Sequence, residues 1–236
     1  MTKSKAHHQA DHDAHSDSEA SPEAEREELK QATPNPGITT TFYLMRHGEC
    51  EGGQILRGHT DVSLSELGRK QMFDAIEAAD ISFEHIISSP LRRCCEFALR
   101  LYLKREVPLK LEEGFKEMNF GDWDGESLES LYQTCAGPIE AYWKNPWAST
   151  PPDGESMLDF EARIDRAWES ILNQHRGQSL LLVTHAGVIR HLMASALGVS
   201  GVAGFYTQLS LAYAAIVKIT VYTTPQGTHF PQLHWG

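Results

Sequence analysis

Short apolar runs of strand-forming residues alternate with stretches of helical spacing through most of this chain. The strand-like runs are TTFYLM (40–45), HIISS (85–89), VPLKLEEG (107–114), SLLLVTH (179–185) and AAIVKITVY (214–222). Helical spacing is found at 63–80, 90–104, 125–133, 154–175 and 186–198. Strands that alternate with helices form a sheet covered on both faces. The sequence therefore predicts an α/β fold, a three-layer sandwich with a mostly parallel central sheet, in one domain at 38–236.

Residues 1–37 differ in composition from the rest of the chain. Apart from Met1 and Leu29, their hydrophobic residues are alanines, and four basic residues face eight acidic ones. Such a segment cannot bury enough apolar surface to offset the entropy of the chain, so we expect a disordered acidic tail. Its histidines are predicted to be solvated rather than to hold a metal.

The charge balance excludes several classes of partner. The chain carries 21 Lys and Arg against 32 Asp and Glu, a formal net charge of −11. Nucleic-acid binders usually carry a basic surplus, so we expect no nucleic-acid partner. No apolar run approaches the roughly 18 residues of a membrane span, and the N-terminus has no apolar stretch of a secretory signal. The prediction is a cytoplasmic protein with no membrane partner, whose four cysteines are reduced thiols.

Chemically active side chains follow three predicted strands at the points where those strands end. Residues 46–49 (RHGE) follow the first run, residues 89–93 (SPLRR) the second and residues 185–190 (HAGVIR) the fourth. In open α/β sheets, ligands bind beyond the carboxyl ends of parallel strands. Arginine offers a planar fork to phosphate oxygens, and helix N-termini add backbone donors. The three loops together predict a site for a phosphate dianion.

Six stretches of the sequence resemble the histidine phosphatase, or phosphoglycerate mutase-like, superfamily. They are LMRHGE (44–49), RGHTDVSLSELG (57–68), SSPLRRCCEFA (88–98), EMNFGDWDG (117–125), PPDGES (151–156) and VTHAGVIR (183–190). The resemblance covers roughly residues 41–222 and implies the phosphoglycerate mutase-like fold. Within the superfamily, RHGECEGG, EMNFGDWDG and NPWASTPPDGES are most similar to the α-ribazole phosphatase branch, which serves cobalamin assembly.

The resemblance implies five catalytic residues and a reaction that needs no metal and no cofactor. His47 matches the nucleophile that becomes phosphohistidine, and Arg46 matches the arginine beside it that grips the phosphoryl group. Arg93 is the fifth residue of the S-x-L-x-R pattern and matches the catalytic arginine. Glu117 matches the proton donor, and His185 matches the second histidine of the pocket.

The resemblance also implies a second loop that contacts the substrate, at Arg57 and Gly58. Many members of the superfamily have an asparagine where this chain has Gly53. A hydrogen bond to the phosphoryl group is therefore either missing at Gly53 or supplied by Arg57.

Other carboxylates compete with Glu117 for the role of proton donor. Glu49 is next to the nucleophile loop and is a candidate for substrate binding. It follows Gly48 at a predicted helix start, where carboxylates often serve the helix dipole, so we assign the acid to Glu117. Asp122 and Asp124 are lesser competitors.

Elementary electrostatics agrees with these roles. A neutral imidazole is a suitable attacker on an anionic ester, and the positive charges of Arg46 and Arg93 disfavour the imidazolium form of His47. The arginines, and His185 if it is protonated, stabilise charge on the phosphoryl oxygens. Glu117 must begin protonated and later accept a proton from water.

The stretch between Met118 and Arg163 bears on the substrate. It contains no arginine before Arg163, and Lys144 is its only lysine. A mutase acting on phosphoglycerate must retain a bisphosphorylated intermediate, so the missing cations favour hydrolysis. The same stretch contains aromatic rings that suit a flat, neutral leaving group, and we expect at least two of them to be core residues instead. These rings are Trp123, Tyr132, Tyr142, Trp143 and Trp147.

The predicted function is hydrolysis of a small phosphate monoester, with α-ribazole 5'-phosphate as the substrate. A phosphoglycerate mutase, or a broad-specificity phosphatase for sugars and small molecules, is the alternative within the superfamily. A catalytically silent binding protein on the same fold is an alternative of another class, which we disfavour because all five catalytic residues are present. A homodimer is an ordinary assembly for this superfamily.

Overall fold

The computed structural model of this chain describes residues 36–234. The tail predicted to be disordered lies outside these residues apart from Pro36 and Gly37, so its disorder and the domain boundary at residue 38 stay predictions.

A mixed sheet forms the centre of the described part, with six strands in the order β3-β2-β4-β1-β5-β6. The first four strands along the chain run parallel, whereas β5 pairs antiparallel with β1 and β6 pairs antiparallel with β5. The predicted α/β class and mostly parallel sheet are confirmed. The strands are β1 (Ile38–Arg46), β2 (His85–Ser88), β3 (Leu109–Leu111), β4 (Ser179–Thr184), β5 (Ile216–Thr223) and β6 (His229–His234).

Helices cover both faces of this sheet. Successive residues of β4 point to opposite faces, so Leu180 and Leu182 join one hydrophobic cluster and Leu181 and Val183 join the other. The cluster of Leu181 and Val183 includes buried residues of α1 and α2, and the cluster of Leu180 and Leu182 includes buried residues of α3 to α6. Within residues 36–234, no helix has the length and apolar character needed to cross a membrane. The helices are α1 (Glu66–Ala78), α2 (Arg92–Arg105), α3 (Leu128–Lys144), α4 (Met157–Gln174), α5 (Ala186–Leu197) and α6 (Ala203–Gln208).

Serine side chains set the starts of three helices. Ser65, Ser127 and Ser156 each accept a hydrogen bond from the backbone N–H three residues later, at 2.9–3.1 Å. The cap of α1 is therefore Ser65, two residues beyond the predicted start at residue 63. Gly198, with φ 68°, ends α5 as predicted.

Three elements differ from the prediction. The helix predicted at 125–133 continues as α3 to Lys144 across a kink at Cys135, where φ is −148°. Helix α6 and strand β6 were not predicted. Strand β6 contains Pro231, which argues against a strand in sequence but is tolerated here because β6 lies at the edge of the sheet.

The register of the parallel strands places three strand ends side by side. Arg46 of β1 pairs with Thr184 of β4, and Ser88 of β2 pairs with Val183 of β4. The backbone N–H of the next residue, His47, then donates to the Thr184 carbonyl at 3.0 Å. The loops after β1, β2 and β4 therefore begin at the same edge of the sheet.

Candidate active site

Two histidine rings lie close together at this edge of the sheet. His47 follows β1 directly and His185 follows β4 directly. Their ring centroids are 5.4 Å apart, with 60° between the ring planes. His185 has no exposed surface and His47 is 6% exposed. The structure thus brings together the two histidines that the sequence places 138 positions apart.

His47 is held in one neutral tautomer. Its Nδ1 lies 2.8 Å from the carbonyl oxygen of Gly48, which can only accept, so Nδ1 carries the proton and Nε2 keeps its lone pair. Burial, and then the charges of Arg93, Arg46 and Arg57, lower the pKa of His47 to about 3, although the Gly48 hydrogen bond opposes the shift. The ring is therefore neutral near pH 7.

Arg93 lies in the first turn of α2 and is completely buried. It donates from Nη2 to the Gly58 carbonyl at 2.6 Å, from Nη1 to the Thr60 carbonyl at 3.0 Å and from Nε to His185 Nδ1 at 3.2 Å. None of these acceptors is a carboxylate. A guanidinium has five N–H groups, so one N–H remains on each terminal nitrogen of Arg93 for an anion.

The contact with Arg93 fixes the protonation of His185. Because Nδ1 accepts from Arg93, the ring proton is on Nε2, which lies 2.8 Å from Ser89 Oγ. Burial and the charge of Arg93 lower the pKa of His185 well below its ordinary value. His185 is therefore a neutral N–H donor rather than the imidazolium that the sequence left open.

Arg46 directly precedes His47 and has a buried donor that no described residue uses. Its Nη1 donates to the Leu211 carbonyl, and its guanidinium stacks on the Tyr213 ring at 4.3 Å. Its Nε is buried and has no hydrogen-bond partner among the described residues. Buried polar groups are normally paired, so this N–H fits a site that receives an anion.

Arg57 belongs to the predicted substrate-binding loop and has the same property. Its Nη2 donates to the carbonyls of Glu51, at 2.9 Å, and Gly53, whereas its buried Nε has no partner in residues 36–234. Gly53 lies on an exposed bend with φ 73°, and its carbonyl accepts from Arg57. Gly58, by contrast, contacts the site directly through its carbonyl.

The helix start predicted at Glu49 is wrong, whereas the candidacy of Glu49 for substrate binding stays a prediction. No helix starts there: the chain is irregular after β1, and α1 begins only at Glu66. The reason is a tight backbone contact, since a Cβ on Gly48 would lie 2.2 Å from the Gly68 carbonyl oxygen. The Glu49 carbonyl accepts from the N–H of Ser65 at 3.0 Å, so this segment packs against the start of α1 through its main chain.

Glu117 lies beside the loop that follows His185. Its Oε2 accepts from the N–H of Gly187 at 3.0 Å, and its Oε1 accepts from the N–H of Met118 at 3.0 Å. The side chain is nearly buried. The structure therefore places this carboxyl group at the edge of the sheet that carries the two histidines.

Arg163 is a residue that the sequence analysis did not assign to the site. Its Nε and Nη2 pair with Glu155, and Nη2 also donates to the Glu117 carbonyl at 2.8 Å. Its Nη1 donates to the carbonyls of Gly114 and Lys116 at 2.9 and 2.7 Å. All five N–H groups of Arg163 are therefore used, and three of these hydrogen bonds attach the segment that carries Glu117 to α4. The PPDGES stretch (151–156) shortly before Arg163 is the sequence signal that could have identified it.

Of the aromatic side chains between Met118 and Arg163, some are buried in the core and others lie nearer the surface. Trp123 and Tyr142 are buried in the core, so the expectation of at least two core rings is confirmed. Trp143 and Trp147 pack against the core and are half-buried, and Tyr132 is 45% exposed.

The four cysteines are free thiols, as predicted. Cys50 Sγ lies 3.5 Å from His47 Nδ1, and Cys94 Sγ lies 3.7 Å from His185 Nε2. Burial raises the pKa of both thiols, which favours the unreactive protonated form. In the part of the chain that the structure covers, no group of three or more His, Cys, Asp or Glu side chains could hold a metal ion.

This fold and this pair of histidines define a known class of protein. The model of the histidine phosphatase superfamily (branch 1) matches residues 42–229, so the chain belongs to that superfamily, as predicted. The family, and the phosphatases among its relatives, support a phosphoric monoester hydrolase.

The relatives are named for different substrates. The chain is 29% identical over 161 residues to the adenosylcobalamin/α-ribazole phosphatase of Escherichia coli (strain K12), covering 66% of this chain and 79% of that one. It is 30% identical over 169 residues to the glucosyl-3-phosphoglycerate phosphatase of Mycolicibacterium vanbaalenii, covering 66% and 73%. The solved α-ribazole phosphatase of Shigella flexneri has a TM-score of 0.68 at 25% identity, covering 82% and 94%.

Replacing Gly187 with alanine tests the placement of Glu117. The new Cβ would lie 2.2 Å from Glu117 Oε1 and 2.8 Å from the Tyr206 hydroxyl, so the carboxyl group must move. We expect kcat/KM for an alkyl phosphate to fall by about 10²-fold. The control is Gly204→Ala in α6, where the nearest atom is 3.9 Å away on Gln208 and activity should not change. Equal activity of the two variants would contradict the placement.

Proposed function

We propose that this enzyme hydrolyses phosphate monoesters through a phosphohistidine formed on His47. The observation that carries the proposal is a neutral imidazole with its proton fixed on Nδ1 by Gly48, surrounded by the charges of three arginines. In the first step the Nε2 lone pair forms the N–P bond, and the bond from phosphorus to the leaving oxygen breaks. A neutral attacker suits this step because an anionic one is repelled by the ester.

The donors around His47 bind the phosphoryl oxygens. Arg93 contributes its two remaining N–H groups, and Arg46 and Arg57 contribute Nε–H groups that have no partner within residues 36–234. His185 contributes Nε2–H in exchange for its contact with Ser89. The arginine donors are in place before the reaction, so they stabilise the transition state without reorganisation.

Glu117 transfers the proton in both steps. It first gives its proton to the departing alkoxide, which leaves as an alcohol. In the second step it takes a proton from the water that attacks phosphorus, and the N–P electron pair returns to His47. The position of its carboxyl group against Gly187, two residues after His185, supports this role.

The substrate that we propose is α-ribazole 5'-phosphate. Lys144, the lone lysine between Met118 and Arg163, is exposed at the end of α3, so this stretch offers a bisphosphorylated intermediate little positive charge. The similarity to the Escherichia coli enzyme supports the same substrate. A phosphatase for sugar phosphates is the second candidate, because an equally similar relative is a glucosyl-3-phosphoglycerate phosphatase and Trp123 and Tyr142 are taken up by the core. A homodimer and a cytoplasmic location stay predictions.

The nucleophile is tested with His47→Ala. We expect turnover of p-nitrophenyl phosphate to fall by at least about 10³-fold. We also expect the protein to lose the alkali-stable ³²P label that the unaltered enzyme acquires when quenched with base during turnover. The matched control is His85→Ala, because His85 lies at the opposite, amino end of a parallel strand. Unchanged turnover in His47→Ala would eliminate the mechanism and return the silent binding protein to consideration.

The substrate is tested by comparing kcat/KM across α-ribazole 5'-phosphate, 3-phosphoglycerate, sugar phosphates including glucosyl-3-phosphoglycerate, and a phosphohistidine peptide. We expect the highest value for α-ribazole 5'-phosphate and only hydrolysis of 3-phosphoglycerate. A preference for a sugar phosphate would replace the proposed substrate with the second candidate. Isomerisation of 3-phosphoglycerate to 2-phosphoglycerate would identify a mutase.

A further inference from the structure

The carboxylate of Asp124 is saturated with hydrogen bonds, four of them from one distant loop. Its Oδ1 accepts from the N–H of Gly58 at 3.1 Å and from the N–H and the hydroxyl of Thr60, the former at 2.9 Å. Its Oδ2 accepts from the N–H of His59 at 2.5 Å and of Phe120 at 3.4 Å. A carboxylate has about four lone-pair sites, so none remains for another partner. This arrangement gives Asp124 a different role from that of a competing proton donor.

The same loop holds Arg93 with its opposite side. Gly58 and Thr60 direct their N–H groups to Asp124 and their carbonyl groups to Arg93, at 2.6 and 3.0 Å. The peptide groups of residues 58–60 therefore lie between a carboxylate and a buried guanidinium. Since no described carboxylate hydrogen-bonds to Arg93, the oriented loop is what stabilises this buried charge.

The close packing of the loop leaves it little freedom. A Cβ on Gly58 would lie 2.1 Å from the Met118 carbonyl oxygen and 2.4 Å from Asp124 Oδ2. Beyond the loop, Arg93 continues the series of contacts to His185 Nδ1. A displacement of Asp124 would therefore reach the neutral histidine through Arg93.

We propose that Asp124 is a positioning residue that fixes Arg93, through residues 58–60, so that the free N–H groups of Arg93 point to a bound phosphate. The proposal rests on the proposed function, in which Arg93 binds the phosphoryl group. It adds that the negative charge needed to hold this arginine comes from a residue that does not contact it.

Asp124→Asn is the informative substitution because it keeps the shape and changes the hydrogen bonding. In asparagine, an NH₂ group replaces one carboxylate oxygen and would face backbone N–H groups of residues 58–60. These N–H groups would lose their acceptor, and the loop carbonyls would no longer be held against Arg93. We expect the Kd for inorganic phosphate to rise, and kcat/KM for p-nitrophenyl phosphate to fall, by about 10–100-fold. This is the typical range when a residue that orients a ligand-binding side chain, without touching the ligand itself, is replaced. The matched control is Asp122→Asn, two residues earlier, where the side chain is exposed and makes no hydrogen bond among the described residues. This control should behave like the unaltered enzyme.

A spectroscopic measurement separates positioning from a general loss of stability. The ¹⁵N resonances of the His185 ring report whether Nδ1 still accepts from Arg93. In folded Asp124→Asn we expect the Nδ1 resonance to shift and the ring to titrate between pH 5 and 8, with no change in Asp122→Asn. If Asp124→Asn does not fold, Thr60→Val removes only the hydroxyl donor and should give a smaller weakening in the same direction.

Unchanged phosphate affinity and unchanged His185 resonances in folded Asp124→Asn, or in Thr60→Val as the replacement test, would overturn the proposal. So would failure of the unaltered enzyme to bind phosphate. The proposed function fails separately, if His47→Ala retains turnover. In that case a weakened phosphate affinity in Asp124→Asn would still support the positioning role.

Discussion

A positive charge buried at Arg93, with no carboxylate partner among residues 36–234, is the constraint on which the site depends. Burying an unpaired ion is unfavourable by several kcal/mol unless hydrogen bonds compensate. Two loop carbonyls and the Nδ1 atom of His185 provide that compensation and leave two N–H groups for an anion. The same charge, together with burial, keeps His47 neutral and fixes the proton of His185 on Nε2. One cation therefore influences the protonation of both histidines.

The sheet provides the coarse placement of these groups, and charged side chains provide the fine placement. Parallel pairing of β2, β4 and β1 brings three strand ends to one edge. Asp124, with every lone pair used, then fixes the loop under Arg93, and Arg163, with every N–H used, fixes the segment that carries Glu117. Both side chains lie in the part of the chain that follows β3. This part therefore positions the residues of the site that the strand ends do not position themselves.

The sequence predicts the elements whose signals are local. The apolar run at 179–185, the periodic helices and the motifs around His47, Arg93 and His185 all depend on near neighbours, and the superfamily and fold that they predict are confirmed. Tertiary contacts explain the rest. Glu49 is not at a helix start because Gly48 packs against Gly68, and the role of Asp124 depends on donors more than 60 positions away. Strand β6 was not predicted because Pro231 disfavours a strand, and its edge position in the sheet tolerates this proline.

The most direct test of the account is a pH titration of His47 by ¹⁵N NMR in the unliganded protein. A pKa lowered to about 3 by burial and neighbouring arginines means that the ring should stay neutral, with its proton on Nδ1, from pH 8 down to about pH 4. Protonation should begin only below that range. A ring that titrates near the ordinary histidine pKa of about 6.5, or that carries its neutral proton on Nε2, would contradict the account.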